Sequence, residues 1–176
     1  MSSKTITLAY GGGGEETQQL IKGLFYRYFS NPILERGEDS ATIEIRSPIA
    51  TTIDGFTVSP LFFNGGSIGK LAVAGSVNDL AMVGARPRYL TLSFVIEEGF
   101  QFGELEKVVR EIGELCRKLG VQVVAGDTKV VPKRAVDQLF ITSAGIGEVV
   151  KPGISCRNLK PGDKILVSGE IGRHGA

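Results

Sequence analysis

Chemistry in this chain has to run almost without histidine. The 176 residues contain one, His174, which removes the Ser-His-Asp triad, the His-rich metal site and the HExxH helix. Carboxylates, lysine or a bound cofactor remain. Asn78 and Asp79 stand inside an apolar run, flanked by Val77 and Leu80, where an unpaired carboxylate is costly. Asp54 precedes Gly55 at the end of one predicted strand and Asp127 follows Gly126 at the end of another. Asp54, Asp79 and Asp127 are therefore expected to converge at one sheet edge, and hard oxygen ligands of this kind suit Mg²⁺, which keeps waters and shares substrate phosphates. The competing reading makes Asp54 and Asp127 turn or cap residues and gives Asp79 a buried salt bridge to Lys70 or Arg86.

GDTKVV, residues 126–131, adds the hydroxyl of Thr128 and the ammonium of Lys129 directly after Asp127. A lysine between a strand end and two valines can neutralise phosphate or, with a lowered pKa, act as acid or base. Its plainer reading is a surface charge. YGGGGEE, residues 10–16, places Gly11, Gly12, Gly13 and Gly14 directly before a helix start, where free N–H groups and the helix dipole attract anions. No Gly-Lys-Ser/Thr follows and the pattern is not GxGxxG, so a mobile glycine tail stays open as the alternative. Glu38-Asp39 reads more often as a solvated turn. Cys116 and Cys156 lie far apart without a CxxC, which suggests neither a zinc site nor a disulfide framework.

Composition narrows the class of protein. Lys plus Arg is 20 against Asp plus Glu 19, a net charge of +1, which argues against a nucleic-acid partner. Hydrophobic residues are 42% and charged ones 22%, as in an ordinary globular domain. No apolar run approaches the ~20 residues that span a bilayer, and the N-terminus lacks the apolar core of a secretory signal. A cytoplasmic, non-membrane location is the expectation.

The elements that must hold these groups are read from periodicity. KTITLA (4–9) predicts a strand. Leu20, Ile21, Leu24, Phe25 and Tyr28 recur at helical spacing after the glycines, with Asn31-Pro32 as the stop. Residues 41–45 and 50–54 predict two strands joined as a hairpin through Ser47-Pro48. Residues 67–83 are apolar nearly all round and predict a central helix packed on several sides. A strand over 88–97 is followed by a stripe from Leu105 to Leu119, with Gly120 placed to cap its end. Strands over 121–127, 139–149 and, after a turn, within 160–169 complete an α/β or α+β layer, a mixed sheet of about four to six strands with helices on one face.

ATTIDGFTVSPLFFNGGSIGKLAVAGSVNDLAMVGARP, VVAGDTKVV and GDKILVSGEIGRHG together resemble the HypE family of hydrogenase maturation factors. That family is a branch of the PurM-like ATP-binding superfamily, which also holds aminoimidazole ribonucleotide synthetase, selenophosphate synthetase and thiamine-monophosphate kinase. The resemblance covers essentially the whole chain. It implies a PurM-like N-terminal domain that binds ATP and Mg²⁺ and pairs as a homodimer. It implies that a carbamoyl group, received from the carbamoyltransferase HypF on a C-terminal cysteine thiolate, is dehydrated to a thiocyanate, and that the cyanide passes to a HypC-HypD scaffold for the iron of [NiFe] hydrogenase. Asp39, Asp54, Asn78, Asp79 and Asp127 would hold nucleotide and metal, Gly126 and Thr128 would shape the pocket, Gly11–Gly14 would close over ATP, and Lys129 would help deprotonate the thiocarbamate.

Two departures accompany the resemblance. The family's glycine loop usually opens with His-Gly, and here it opens with Tyr10-Gly11. The family continues past the position of Ala176 into a second domain with a terminal cysteine. The chain is therefore expected to be an N-terminal piece, with residues 1–155 the ATP-binding and dimerisation domain and 156–176 the start of the next, inactive by itself. The alternatives are a sibling synthetase of aminoimidazole ribonucleotide or selenophosphate type, and a noncatalytic dimerisation or docking module.

Overall fold

The computed structural model describes residues 4–170; the readings that involve His174 and the end of the GRHG motif lie outside them. A helix opens at Glu15 as α1 (Glu15–Leu20), passes through a π-helical segment (Ile21–Phe25) and ends as α2 (Tyr26–Phe29). Asn31 stops it as the sequence indicates. The edge strand β1 (Ile49–Phe56) leads to a small hairpin of β2 (Phe62–Phe63) and β3 (Gly66–Ser67). Helix α3 (Ile68–Met82) follows, capped by the Ser67 hydroxyl, which accepts from the Lys70 N–H at 3.2 Å. Next come β4 (Ala85–Glu97), α4 (Phe102–Leu119), β5 (Gln122–Val131) and β6 (Leu139–Val149). Gly120 takes the left-handed conformation, φ 68°, at the end of α4, the Schellman-type stop that favours glycine.

The four long strands form one mixed sheet in the order β1-β6-β4-β5, with β4 and β5 parallel through the α4 crossover and the other pairs antiparallel. Helices α3 and α4 pack together on one face. Leu90, Leu92, Phe94 and Ile96 of β4 and Leu139 and Ile141 of β6 point into that layer and are buried. Their alternates remain half-exposed on the opposite face. This is the anticipated α/β arrangement, four strands with helices on one face.

Four expectations change. Residues 4–9 make no regular strand: Ile6 exchanges hydrogen bonds with Gly99 and Phe100, Thr5 forms an isolated bridge with Gln101, and Leu8–Gly11 turn as a short 3₁₀ helix. Residues 41–45 form no strand, so the 41–54 hairpin is absent and β1 pairs with the distant β6. β5 runs through Asp127 to Val131 because each of these residues finds a parallel partner on β4, which puts Asp127 inside a strand rather than at its end. Residues 160–169 form no strand, and Ile165 and Leu166 are 92% exposed, with no partner edge among the described residues. None of the described helices is long and apolar enough to cross a membrane.

Candidate functional site: a glycine-loop cavity

The glycine loop is docked rather than loose. A Cβ at Gly11 would fall 2.5 Å from the main-chain nitrogen of Val130, so only glycine lets the loop lie this close to β5. Gly13 adopts φ +79°, and its N–H donates to the Thr17 hydroxyl at 2.9 Å, folding the loop back on the first turn of α1. Thr17 in turn donates to the Ala9 carbonyl at 3.4 Å.

The far end of the same helix is fastened to the other end of β5. Asn31, 8% exposed, donates through Nδ2 to the carbonyls of Phe29 at 2.9 Å and Val123 at 2.7 Å, and accepts through Oδ1 from the N–H groups of Ile33 and Leu34. All four of its hydrogen-bonding positions are used. Helix Glu15–Phe29 is thus held over β5, Gly11 against Val130 and Asn31 against Val123.

Between helix and strand lies a cavity of about 610 Å³, within the range of small-molecule sites. One end is lined by Gly11, Gly13, Thr17, Gly126, Asp127 and Thr128, the other by apolar groups including Phe25, Phe29, Leu34 and Val123. Asp39 borders it from the loop after a short 3₁₀ turn (Leu34–Arg36). The floor stays low at Gly126, where a Cβ would sit 3.2 Å from the Leu92 carbonyl oxygen. Of the residues singled out from sequence, Gly11, Gly13, Asp39, Gly126, Asp127 and Thr128 meet here, while Gly12 and Gly14 belong to the loop without lining the cavity. Gln18, Lys22 and Tyr26 were missed. The signal available was their i, i+4 spacing on the helix that the glycines open.

Asp54, Asn78 and Asp79 lie elsewhere, on the flank where α3 crosses β1. Asp79 is exposed, not buried, because it lies on the outer side of α3 while its neighbour Leu80 turns in over Gly145 of β6. Its Oδ2 accepts from the Thr52 hydroxyl at 2.7 Å, and no salt bridge to Lys70 or Arg86 forms. Asp54 Oδ2 approaches to 3.8 Å of the point a Cβ on Gly75 would occupy, one helical turn from Asp79. β1 and β5 are the two outer strands, about 14 Å apart at ~4.8 Å per strand. Asp127 pairs with Ser93 and Asp54 with Ser143, one row apart, so the two carboxylates also alternate to opposite faces. The three aspartates therefore do not converge within one chain, and the described residues hold no group of three or more His, Cys, Asp or Glu that could bind a metal ion. Lys129 shares the helix-free face with Asp127 and is exposed.

The mixed sheet has a counterpart among known proteins. The chain belongs to the family of AIR synthase related proteins, through its N-terminal domain, whose sequence profile matches residues 37–149. Within that class it is similar to HypE. Carbamoyl dehydratase HypE of Bradyrhizobium diazoefficiens is 47% identical over 173 residues, covering 97% of this chain and 50% of the relative. The Escherichia coli protein of the same name is 44% identical over 178 residues, 97% and 53%. A crystal structure of hydrogenase maturation protein HypE in complex with ATP superposes with a TM-score of 0.82 at 50% identity, covering 84% of this chain and 44% of that one. A HypE-HypF complex gives 0.58 at 48%, covering 75% and 43%. The chain spans about half the length of the curated relatives it matches, and the resemblance read from its motifs is borne out.

Proposed function

We propose that this chain is the ATP-binding part of a carbamoyl dehydratase of hydrogenase maturation, which removes water from a cysteine-borne carbamoyl group to leave a thiocyanate for the iron centre of [NiFe] hydrogenase. The observation that carries the reading is the cavity between the docked glycine loop and Gly126–Thr128, in a fold half identical to a HypE that binds ATP. The helix N-terminus and loop N–H groups favour phosphate at the polar end, and the apolar end accepts a base.

Mg²⁺ is proposed to arrive with the phosphates, since it needs only one or two carboxylates besides them. Asp127 lines the cavity from the outer strand β5, although the register turns its side chain towards the helix-free face, so its carboxylate is proposed to reach the metal round the sheet edge. Asp54 and Asp79, with Asn78, form a second set, and a role for them in the same site requires another copy or domain to bridge the gap. Lys129 is proposed to take a proton from the thiocarbamate nitrogen, which demands a substrate delivered to the helix-free face. That face supports the homodimer: Ile49 and Ile53 are 60% and 69% exposed on it, beside the half-buried Ala144 and Ile146. HypF is a proposed partner on the strength of the HypE-HypF complex. HypC-HypD and a cytoplasmic setting rest on the resemblance alone. Residues 1–155 are proposed as the functional domain.

Calorimetric titration of the 176-residue chain with ATP and Mg²⁺ tests the reading. Saturable binding with a raised melting temperature is expected, and the absence of any binding would overturn it.

A further inference from the structure

Charge around the cavity is lopsided. Glu35, Glu38, Asp39 and Asp127 line it, and Lys22 is the single basic residue that does. Among the described residues, ion pairs form only between Arg27 and Glu106 and between Arg88 and Glu148, none of which lines the cavity. Glu35 is engaged by the Ser30 hydroxyl. The Lys22 ammonium has no hydrogen bond or ion pair among the described residues, although three carboxylates share its cavity. Lys22 is the one cation on the cavity wall, and its ammonium has three donors to meet an incoming anion.

Its place in the backbone points the same way. Thr17 and Gln18, Ile21 and Lys22, and Phe25 and Tyr26 form successive rungs of the helix facing the cavity. The rungs run from the glycine loop towards the apolar end. Lys22 is the last charged rung before Phe25 and Phe29 begin. It also falls in the π-helical segment Ile21–Phe25, a departure from regular helix that is frequent at functional sites.

We infer that Lys22 is a phosphate-binding residue of this cavity, marking the boundary between a subsite for the polyphosphate, at the glycine loop, and a subsite for the base, against Phe25 and Phe29. The assignment rests on the nucleotide reading above and deepens it. Four acidic residues repel a polyphosphate, and one ammonium at the junction, together with the loop N–H groups, orients the ligand with its phosphates towards Gly11–Gly13 rather than the reverse. Lysine acts here as a movable point charge, so arginine can stand in for it and glutamine cannot.

The experiment compares wild type, Lys22→Gln and Lys22→Arg in titrations with ATP in the presence of Mg²⁺ and with adenosine. Lys22 is exposed, and thermal melts without ligand are expected to coincide for all three. Lys22→Gln should weaken ATP roughly ten- to a hundredfold, the range of a charge-assisted contact, and leave adenosine unchanged. Lys22→Arg should recover most of the loss. ATP bound equally well by Lys22→Gln, or adenosine weakened as much as ATP, would overturn the assignment while leaving the nucleotide reading intact. A wild-type chain that binds neither ligand would overturn both.

Discussion

The hydroxyl of Thr52 donates a 2.7 Å hydrogen bond to Oδ2 of Asp79, and that contact ties the edge strand β1 to the last turn of α3. Because Asp79 is exposed and faces no cation, Asp79→Asn keeps an acceptor for Thr52 and strands no charge. Its stability is expected to stay within about 0.5 kcal/mol of wild type, as for ordinary surface substitutions. A loss of roughly 3–5 kcal/mol in denaturant titration, the signature of a broken buried pair, would contradict the exposed geometry. Weaker binding of ATP with Mg²⁺ by the same variant would bring Asp79 into the site.

Gly11 and Gly12 are adjacent yet should respond oppositely to alanine. At Gly11 the new Cβ meets the Val130 nitrogen at 2.5 Å, whereas at Gly12 the nearest atom is the Ala9 carbonyl oxygen at 3.6 Å. Gly11→Ala is expected to lift the loop off β5, at about 1–3 kcal/mol, and to weaken ATP. Gly12→Ala should stay near wild type in melting temperature, since its backbone angle, φ −86°, is open to any residue.

Cys116 and Cys156 separate by reactivity. Burial pushes the Cys116 thiol from 9.0 up to about 12, while Cys156 is exposed. A thiol reagent at pH 8 should modify one sulfur per native chain and the second only after unfolding, and fast reaction of both would refute this. Because the folded-state value is the higher, the stabilisation from a neutral Cys116 is complete below about pH 9 and is lost as pH rises towards about 12. The stability advantage of wild type over Cys116→Ala should shrink across that window. With one thiol sealed and the other ahead of an exposed segment, dehydration of a carbamoyl cysteine by this chain alone is not expected, and turnover in an ATP-dependent assay would reverse that expectation.

Pairing through the helix-free sheet face predicts a dimer by sedimentation at tens of micromolar, an order-of-magnitude concentration for micromolar association. Ile53→Lys should give a monomer with an unchanged circular dichroism spectrum, because the Ile53 side chain touches little of its own chain. A monomeric wild type would remove the dimer reading.

The sequence made some of this plain and hid the rest for definable reasons. The stripe from Leu105 to Leu119 and the Gly120 stop described α4 closely, and 139–149 coincides with β6, because both signals are local periodicities. The partner of β1 was invisible: pairing Ile49 with Glu148 depends on the whole intervening chain. Asp79 was misplaced because a helix apolar on most sides still keeps a narrow outer strip, and Asn78 and Asp79 fall on it while Leu80 beside them is buried. The loop glycines were legible as a site feature, but Lys22 was one lysine on a helix until β5 and the 33–41 segment supplied the opposite wall.

The distance in sequence between β1 and β6 bears on how the chain is made. During synthesis β1 emerges early, yet the strand that flanks it is the last of the four, so Ile49–Phe56 waits on the order of ten seconds at ~5–20 residues per second. Meanwhile β4, α4 and β5 can close on one another through short-range contacts. The Asp54 and Asp79 flank is therefore the last part of the domain to assemble on the ribosome, and until β6 has emerged β1 stays a bare, adhesive strand.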